Sequence, residues 1–206
     1  MTVNLSSNQQ NPPTINQNPP KTYTKGRTVS TNIDGYKLVI QPDPEKKDQV
    51  DIFITSTKDA KPVCLEHTSN NLLTLKVANG NNTETHTPIE LNDVTIDDIN
   101  FEGSKNTRFT KLNISGELDI VMDSSSSDLT KIDIENSSVG EAISISTADG
   151  DETVTLNEVK TPDLYIGVGK GEDKVTIQGG KIGRALTKGA DTREIDANIE
   201  SINDED

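Results

Sequence analysis

Five carboxylates on two glycine-bearing turns are the side chains best suited to chemistry. Asp149, Asp151 and Glu152 stand in Thr-Ala-Asp-Gly-Asp-Glu-Thr-Val, residues 147–154. Glu172 and Asp173 stand in Gly-Lys-Gly-Glu-Asp-Lys-Val, residues 169–175. Carboxylate oxygens are hard ligands, and Ca²⁺ takes roughly six to eight of them. If the two turns stack, like charges are crowded together and a cation relieves the repulsion. The expected metal ligands are therefore Asp149, Asp151, Glu152, Glu172 and Asp173, and the expected ion is Ca²⁺. The competing reading is a solvated acidic corner, the ordinary state of a charge run, neutralised by Lys170 and Lys174. No other cofactor is expected.

Residues 169–175 resemble the nonapeptide of RTX proteins, G-G-x-G-x-D-x-U-x, with Val168 in place of the first glycine. Residues 147–154 match it less closely, with Glu152 at the aspartate position. The resemblance implies Ca²⁺ held by turn carboxylates and backbone carbonyls. In RTX proteins that cage comes from nonapeptides in tandem. Here the copies are 21 residues apart, so consecutive half-turns do not form it.

Other chemistries find less. His67 and His86 lack the H-x-x-x-H spacing of a metal site and read as surface histidines. Cys64 is the one cysteine, so no internal disulfide forms, and it reads as a small buried apolar residue. Gly167, Gly169, Gly171, Gly179 and Gly180 lack the helix and the Lys-Ser/Thr pair of a P-loop. They are read as granting positive φ at tight corners. A hydrolase would need an acid and base paired across a cleft, and among 34 carboxylates no pair is singled out. Arg108 and Arg184 read as ion-pair partners rather than lyase bases. The chain is expected not to be an enzyme, with a polysaccharide lyase or hydrolase as an alternative.

The elements that must position these turns follow from a repeat. Apolar-x-apolar pairs recur at Ile52/Ile54, Leu73/Leu75, Val94/Ile96, Leu112/Ile114, Ile132/Ile134, Val154/Leu156 and Val175/Ile177. The steps between them are 21, 21, 18, 20, 22 and 21 residues. A second set lies between: Leu118/Ile120, Ile143/Ile145 and Leu164/Ile166. In a strand the outer residues of such a triplet share one face and the middle residue takes the other. A strand in every period of about twenty residues marks a stacked architecture. The expected fold is all-β, a parallel β-helix or solenoid of about seven coils of 18–22 residues. Residues 1–28, rich in Asn, Gln, Pro and Ser, are expected to be a disordered arm. Residues 29–199 are the solenoid and 200–206 an acidic tail. Residues 78–87 are read as a polar loop.

Composition agrees with a thin aliphatic core. The apolar share is 30%, the aromatic share is 3% and there is no Trp, less than a globular α/β core usually uses. The net charge of −14 excludes nucleic acid as a partner, because phosphate binding needs a basic face. No apolar run is long enough to insert into a membrane. No signal peptide is visible in residues 1–20.

Asp34-Gly35-Tyr36-Lys37-Leu38-Val39-Ile40 is followed by Val50-Asp51-Ile52 and by Asn71-Leu72-Leu73-Thr74-Leu75-Lys76-Val77. Pro88-Ile89-Glu90-Leu91, Ile99 and Glu102-Gly103-Ser104 come next, then repeated short strands. This order resembles the bacterial adhesins with a head GIN domain, over about residues 30–180. The resemblance implies a β-helix and a role in adhesion. The family's Gly-Ser-Gly corner survives only in part, at residues 102–104 and 115–117. The expected function is thus a non-catalytic binding module, adhesin-like, secreted or at the cell surface, recognising a glycan or a host or cell-surface protein. An exposed end coil also allows an oligomer. The polar arm resembles the amino-terminal export signals of type III secreted proteins, so an exported effector or accessory protein is the other alternative.

Overall fold

The structure, a computed structural model, describes residues 13–57, 60–69, 71–123 and 129–205. Those residues are all-β, in one large, mostly parallel sheet that does not close into a barrel. The first strands are β1 (Thr14–Gln17), β2 (Lys21–Tyr23), β3 (Val29–Ile33), β4 (Tyr36–Pro42) and β5 (Gln49–Ser56). Then come β6 (Val63–Ser69), β7 (Leu72–Gly80) and β8 (Thr83–Leu91). β3, β4 and β5 pair antiparallel, as do β6, β7 and β8.

From Thr95 the pairing turns parallel. The strands are β9 (Thr95–Gly103), β10 (Thr107–Thr110), β11 (Asn113–Ile114), β12 (Leu118–Met122) and β13 (Thr130–Glu135). They continue as β14 (Ser138–Val139), β15 (Ala142–Thr147), β16 (Glu152–Asn157), β17 (Lys160–Gly167), β18 (Lys174–Lys188) and β19 (Thr192–Glu205). Three columns of partners result, and the chain visits them in a fixed order. One column joins Ile99, Leu118, Ile143, Leu164, Ala185 and Ile202. A second joins Phe109, Ile134, Leu156, Ile177 and Ile195, with steps of 25, 22, 21 and 18 residues. The third is made of the two-residue strands β11 and β14 and the Lys160 and Lys181 segments of β17 and β18. Most inward side chains are apolar, so the columns turn largely aliphatic rows into a shared core.

The second set of sequence pairs stacks as read, with Leu118/Ile120 on Ile143/Ile145 and that pair on Leu164/Ile166. Ile132/Ile134, Val154/Leu156 and Val175/Ile177 stack as well. The earlier copies do not join that column. Ile52 and Ile54 sit beside Ile99 and Phe101. Leu73 and Leu75 lie in antiparallel β7, opposite Ile89 and Thr87. Alternation reports a buried face but not the direction of the neighbouring strand, which depends on the turn that precedes it.

That turn is visible at residues 78–87. The expected loop is a hairpin whose tip, Asn81 (φ 50°) and Asn82 (φ 56°), uses two left-handed residues. Such a tip matches the twist of the two strands it joins. The arm also differs from expectation. β1 and β2 lie parallel on the outer edge of β8, with Thr14 opposite Thr83 and Lys21 opposite Ile89. Tyr23 is buried there, and Asn18 Nδ2 donates to Thr87 Oγ1 at 2.9 Å. An open strand edge offers unpaired backbone groups, and even a polar segment satisfies them. Residues 1–12 lie outside the described residues. The expected tail is likewise strand, since β19 pairs with β18 through Glu205. Backbone pairing at an edge does not depend on the charge of the side chains.

The antiparallel units meet the parallel columns at an aromatic joint. Tyr36 lies 6.2 Å from Phe101 between ring centroids, and Phe101 lies 5.4 Å from Phe109 at 88°. The Tyr36 hydroxyl donates to the Lys61 carbonyl, and burial pushes its phenol above the ordinary value.

Candidate functional site

The turns that carry the predicted calcium ligands do stack. Residues 148–151, 168–173 and 189–191 each link the first column to the second, in successive visits. Their approach is close. A Cβ on Gly169 would sit 2.1 Å from the Ala148 carbonyl oxygen, and one on Gly171 would sit 1.8 Å from that of Gly150. These two glycines are there for backbone contact between layers, not for positive φ. Only Gly179 (φ 62°) and Gly180 (φ 78°) of the five turn glycines hold positive φ.

The carboxylates do not converge on one point. Asp149 Oδ1 accepts from the Lys170 N–H at 3.1 Å, and Asp151 Oδ1 from the Glu172 N–H at 2.9 Å. Asp173 Oδ1 accepts from the Glu152 N–H at 2.9 Å, while the Asp173 N–H donates to Asp191 Oδ2 at 3.0 Å. Each aspartate thus caps a backbone amide of a neighbouring layer. Those amides would otherwise lack partners, because a turn leaves the sheet ladder. Among the described residues, these five do not supply three acidic ligand atoms within 4.8 Å of one another.

Two of the five are buried as a pair. Glu152 and Asp173 are each 1% exposed. Glu152 Oε2 accepts from Thr147 Oγ1 at 3.2 Å. Glu152 Oε1 and Asp173 Oδ2 have no donor. Burial first, then the neighbouring Asp173 carboxyl, push the Glu152 carboxyl up to about 7. A second acid enclosed beside it favours the protonated form of Glu152.

A different corner gathers carboxylates that sequence spacing did not single out. Asp43 lies in the turn after β4, Asp51 in β5 and Asp97 in β9. One carboxylate oxygen of each lies within 4.8 Å of the others. The cause is a bulge. Val50 pairs with Ile96 and Ile52 with Ile99, so Asp51 alone faces Asp97 and Asp98 together. Asp97 is 1% exposed and accepts from Ser115 Oγ at 3.0 Å and from Lys46 Nζ at 2.9 Å. Burial raises the Asp51 and Asp97 carboxyls above the usual range. The Asp97 side chain and then the Glu45 amide hold Asp43 below it. The Asp97-Asp98 doublet directly after an apolar pair was the available signal. Asp43 and Asp51 reach it only through strand pairing across 46 or more residues.

The third column is open on its outer side. A cleft of about 1080 Å³ is lined by Gly140, Lys160, Pro162, Lys181, Gly183 and Arg184, among others. A neighbouring cleft of about 510 Å³ shares Lys160 and runs on past Ser138, Asn136 and Asn113 to Lys111. Small corner residues keep the surface low. A Cβ on Gly140 would lie 2.1 Å from the Ser115 carbonyl oxygen, so a larger residue has no room. Lys160 and Lys181 stack in register. Lys181 reaches Glu200 at 3.6 Å, and Arg184 reaches Asp163 at 3.1 Å and Tyr165 Oη at 2.6 Å.

The remaining sequence candidates are dispersed. His86 Nε2 lies 3.0 Å from Glu84 Oε2, whereas both ring nitrogens of His67 are enclosed without a partner, unlike a surface histidine. Cys64 is half-buried, and burial pushes its thiol up. Arg108 lies 3.8 Å from Asp133. Against protein-family models, curated proteins and solved structures alike, this chain finds no match.

Proposed function

We propose that this chain is a non-catalytic, adhesin-like binding module, secreted or surface-displayed, and that it recognises a glycan. We further propose that its parallel columns are the walls of a β-solenoid with coils near twenty residues. The repeated visit to three columns supports that reading. The seven coils counted from sequence include the copies that lie in the antiparallel units.

The trough along the third column carries the functional reading. It crosses several layers, so its length suits a chain-like ligand rather than a compact one. Its amide and hydroxyl groups at Asn113, Asn136 and Ser138 suit sugar hydroxyls. Its cations, Lys111, Lys160, Lys181 and Arg184, alternate with Glu158, Asp163 and Glu200, and of the four Lys160 is the one left for a ligand. Among the described residues Lys160 has no ion pair, and it lies where the two clefts meet. The ligand class that fits is an acidic polysaccharide, one of whose carboxylates would pair with Lys160.

A glycan array with the full chain, followed by calorimetric titration with a polyuronate, tests the reading. The wild-type chain is expected to bind, and Lys160→Glu to bind at least about tenfold more weakly. Absence of glycan binding, or equal binding by K160E, would overturn it.

A further inference from the structure

The corner built by the turn after β4 and the bulge between β5 and β9 brings three carboxylates within 4.8 Å of one another. Asp43, Asp51, Asp97, Asp98, Glu117 and Glu141 crowd around a single cation, Lys46. Surface acids usually turn outward to water and need nothing more. These do not. Asp97 is 1% exposed and Asp51 is 9% exposed. Asp51 keeps its buried Oδ1 without any hydrogen-bond donor. Leaving such an oxygen dry and unpaired is costly. Gln49 points the same way. Its Nε2 donates to Ser115 Oγ at 3.0 Å, beside Asp97, and its enclosed Oε1 has no donor.

We propose that Asp43, Asp51 and Asp97 bind one hard divalent cation of the calcium class. The donor set is oxygen only, which disfavours zinc and copper, whose sites favour nitrogen and sulfur. The ligands come from a turn, from β5 and from the bulged strand β9. That irregular set suits the variable coordination of Ca²⁺ better than the strict octahedron of Mg²⁺. Gln49 Oε1, enclosed without a donor, and Ser115 Oγ are the neutral oxygens of this corner. Lys46 lies 2.9 Å from Asp97 and 3.2 Å from Glu141. It is 42% exposed at the side chain, so it is free to swing fully to Glu141 when a cation enters. The site would pin the antiparallel unit β3–β5 to the first parallel strand β9. It is independent of the trough and of what the trough binds.

Calorimetric titration of the full chain with CaCl₂ in 0.15 M NaCl tests this. That ionic strength screens diffuse attraction to the acidic surface. The wild type is expected to give saturable binding at one ion per chain. Asp51→Asn is expected to bind at least about tenfold more weakly, since one of three carboxylates is gone. Asp151→Asn, in the other acidic corner, is expected to bind as the wild type does. D51N removes a buried charge that lacks a donor, so its fold is expected to persist, read from its urea transition. Should it unfold, Asp43→Asn replaces it. That change keeps the side-chain oxygen that accepts from the Glu45 and Lys46 amides. No saturable binding by the wild type, or undiminished binding by the folded variant, overturns the proposal.

Discussion

Phe109→Ala is expected to lower the stability of this chain by about 3–5 kcal/mol, the usual cost of emptying a buried aromatic site. Phe109 is 0% exposed and packs edge-on to Phe101, which in turn meets Tyr36. It also pairs with Leu65 on one side and Ile134 on the other. It therefore belongs both to the antiparallel unit β6–β8 and to the parallel columns. The cavity cannot collapse easily, because backbone pairing on both sides fixes the strand. Urea unfolding checks this. The midpoint is expected to fall with an unchanged slope, since the area exposed on unfolding is nearly the same. A loss under about 1 kcal/mol would mean that the joint is not packed as described.

Glu152→Gln is expected to act in the opposite direction, and only above mildly acidic pH. The folded chain holds the Glu152 carboxyl at about 7, above its ordinary 4.5. A raised acid favours its protonated form, so its native environment is least costly below the unfolded value. The cost grows as pH rises from about 4.5 to about 7 and is constant beyond. Its size follows from the shift and is on the order of 3 kcal/mol. Glutamine carries no charge and offers an N–H to the unpartnered Asp173 Oδ2. The two chains should be nearly equal in stability at pH 4, and E152Q the more stable at pH 8. Paired urea midpoints at those pH values give the result. The comparison isolates Glu152 from groups of opposite sign. One is Glu66, which Lys111 and then Lys76 hold below its ordinary value. Its contribution is present at neutral pH and fades as pH falls through its lowered value. Equal midpoints at pH 8 would mean that Glu152 is not held protonated in the folded chain.

The two acidic corners show where spacing informs and where it does not. The 21-residue echo between residues 150–156 and 171–177 reports that two turns stack, and they do. It does not report what their carboxylates face. Asp149, Asp151 and Asp173 each take a backbone amide of a neighbouring layer. That choice is made at a scale of about 3 Å, by turn geometry. Asp43, Asp51 and Asp97 had no shared period at all. A one-residue mismatch between β5 and β9 turns them together.

Alone, the sequence determined that this protein is all-β, because alternating aliphatics at a near-constant step bury a face only as strands in layers. It also determined which side chains line that face from Leu118 to Ile177. Only the tertiary structure decided that β3–β5 and β6–β8 are antiparallel units, that residues 14–17 and 21–23 join the sheet, and which acids converge. The physical reason is that burial is written in each strand's own periodicity. Strand direction, edge pairing and carboxylate contacts depend on partners tens of residues away, and no local pattern records them.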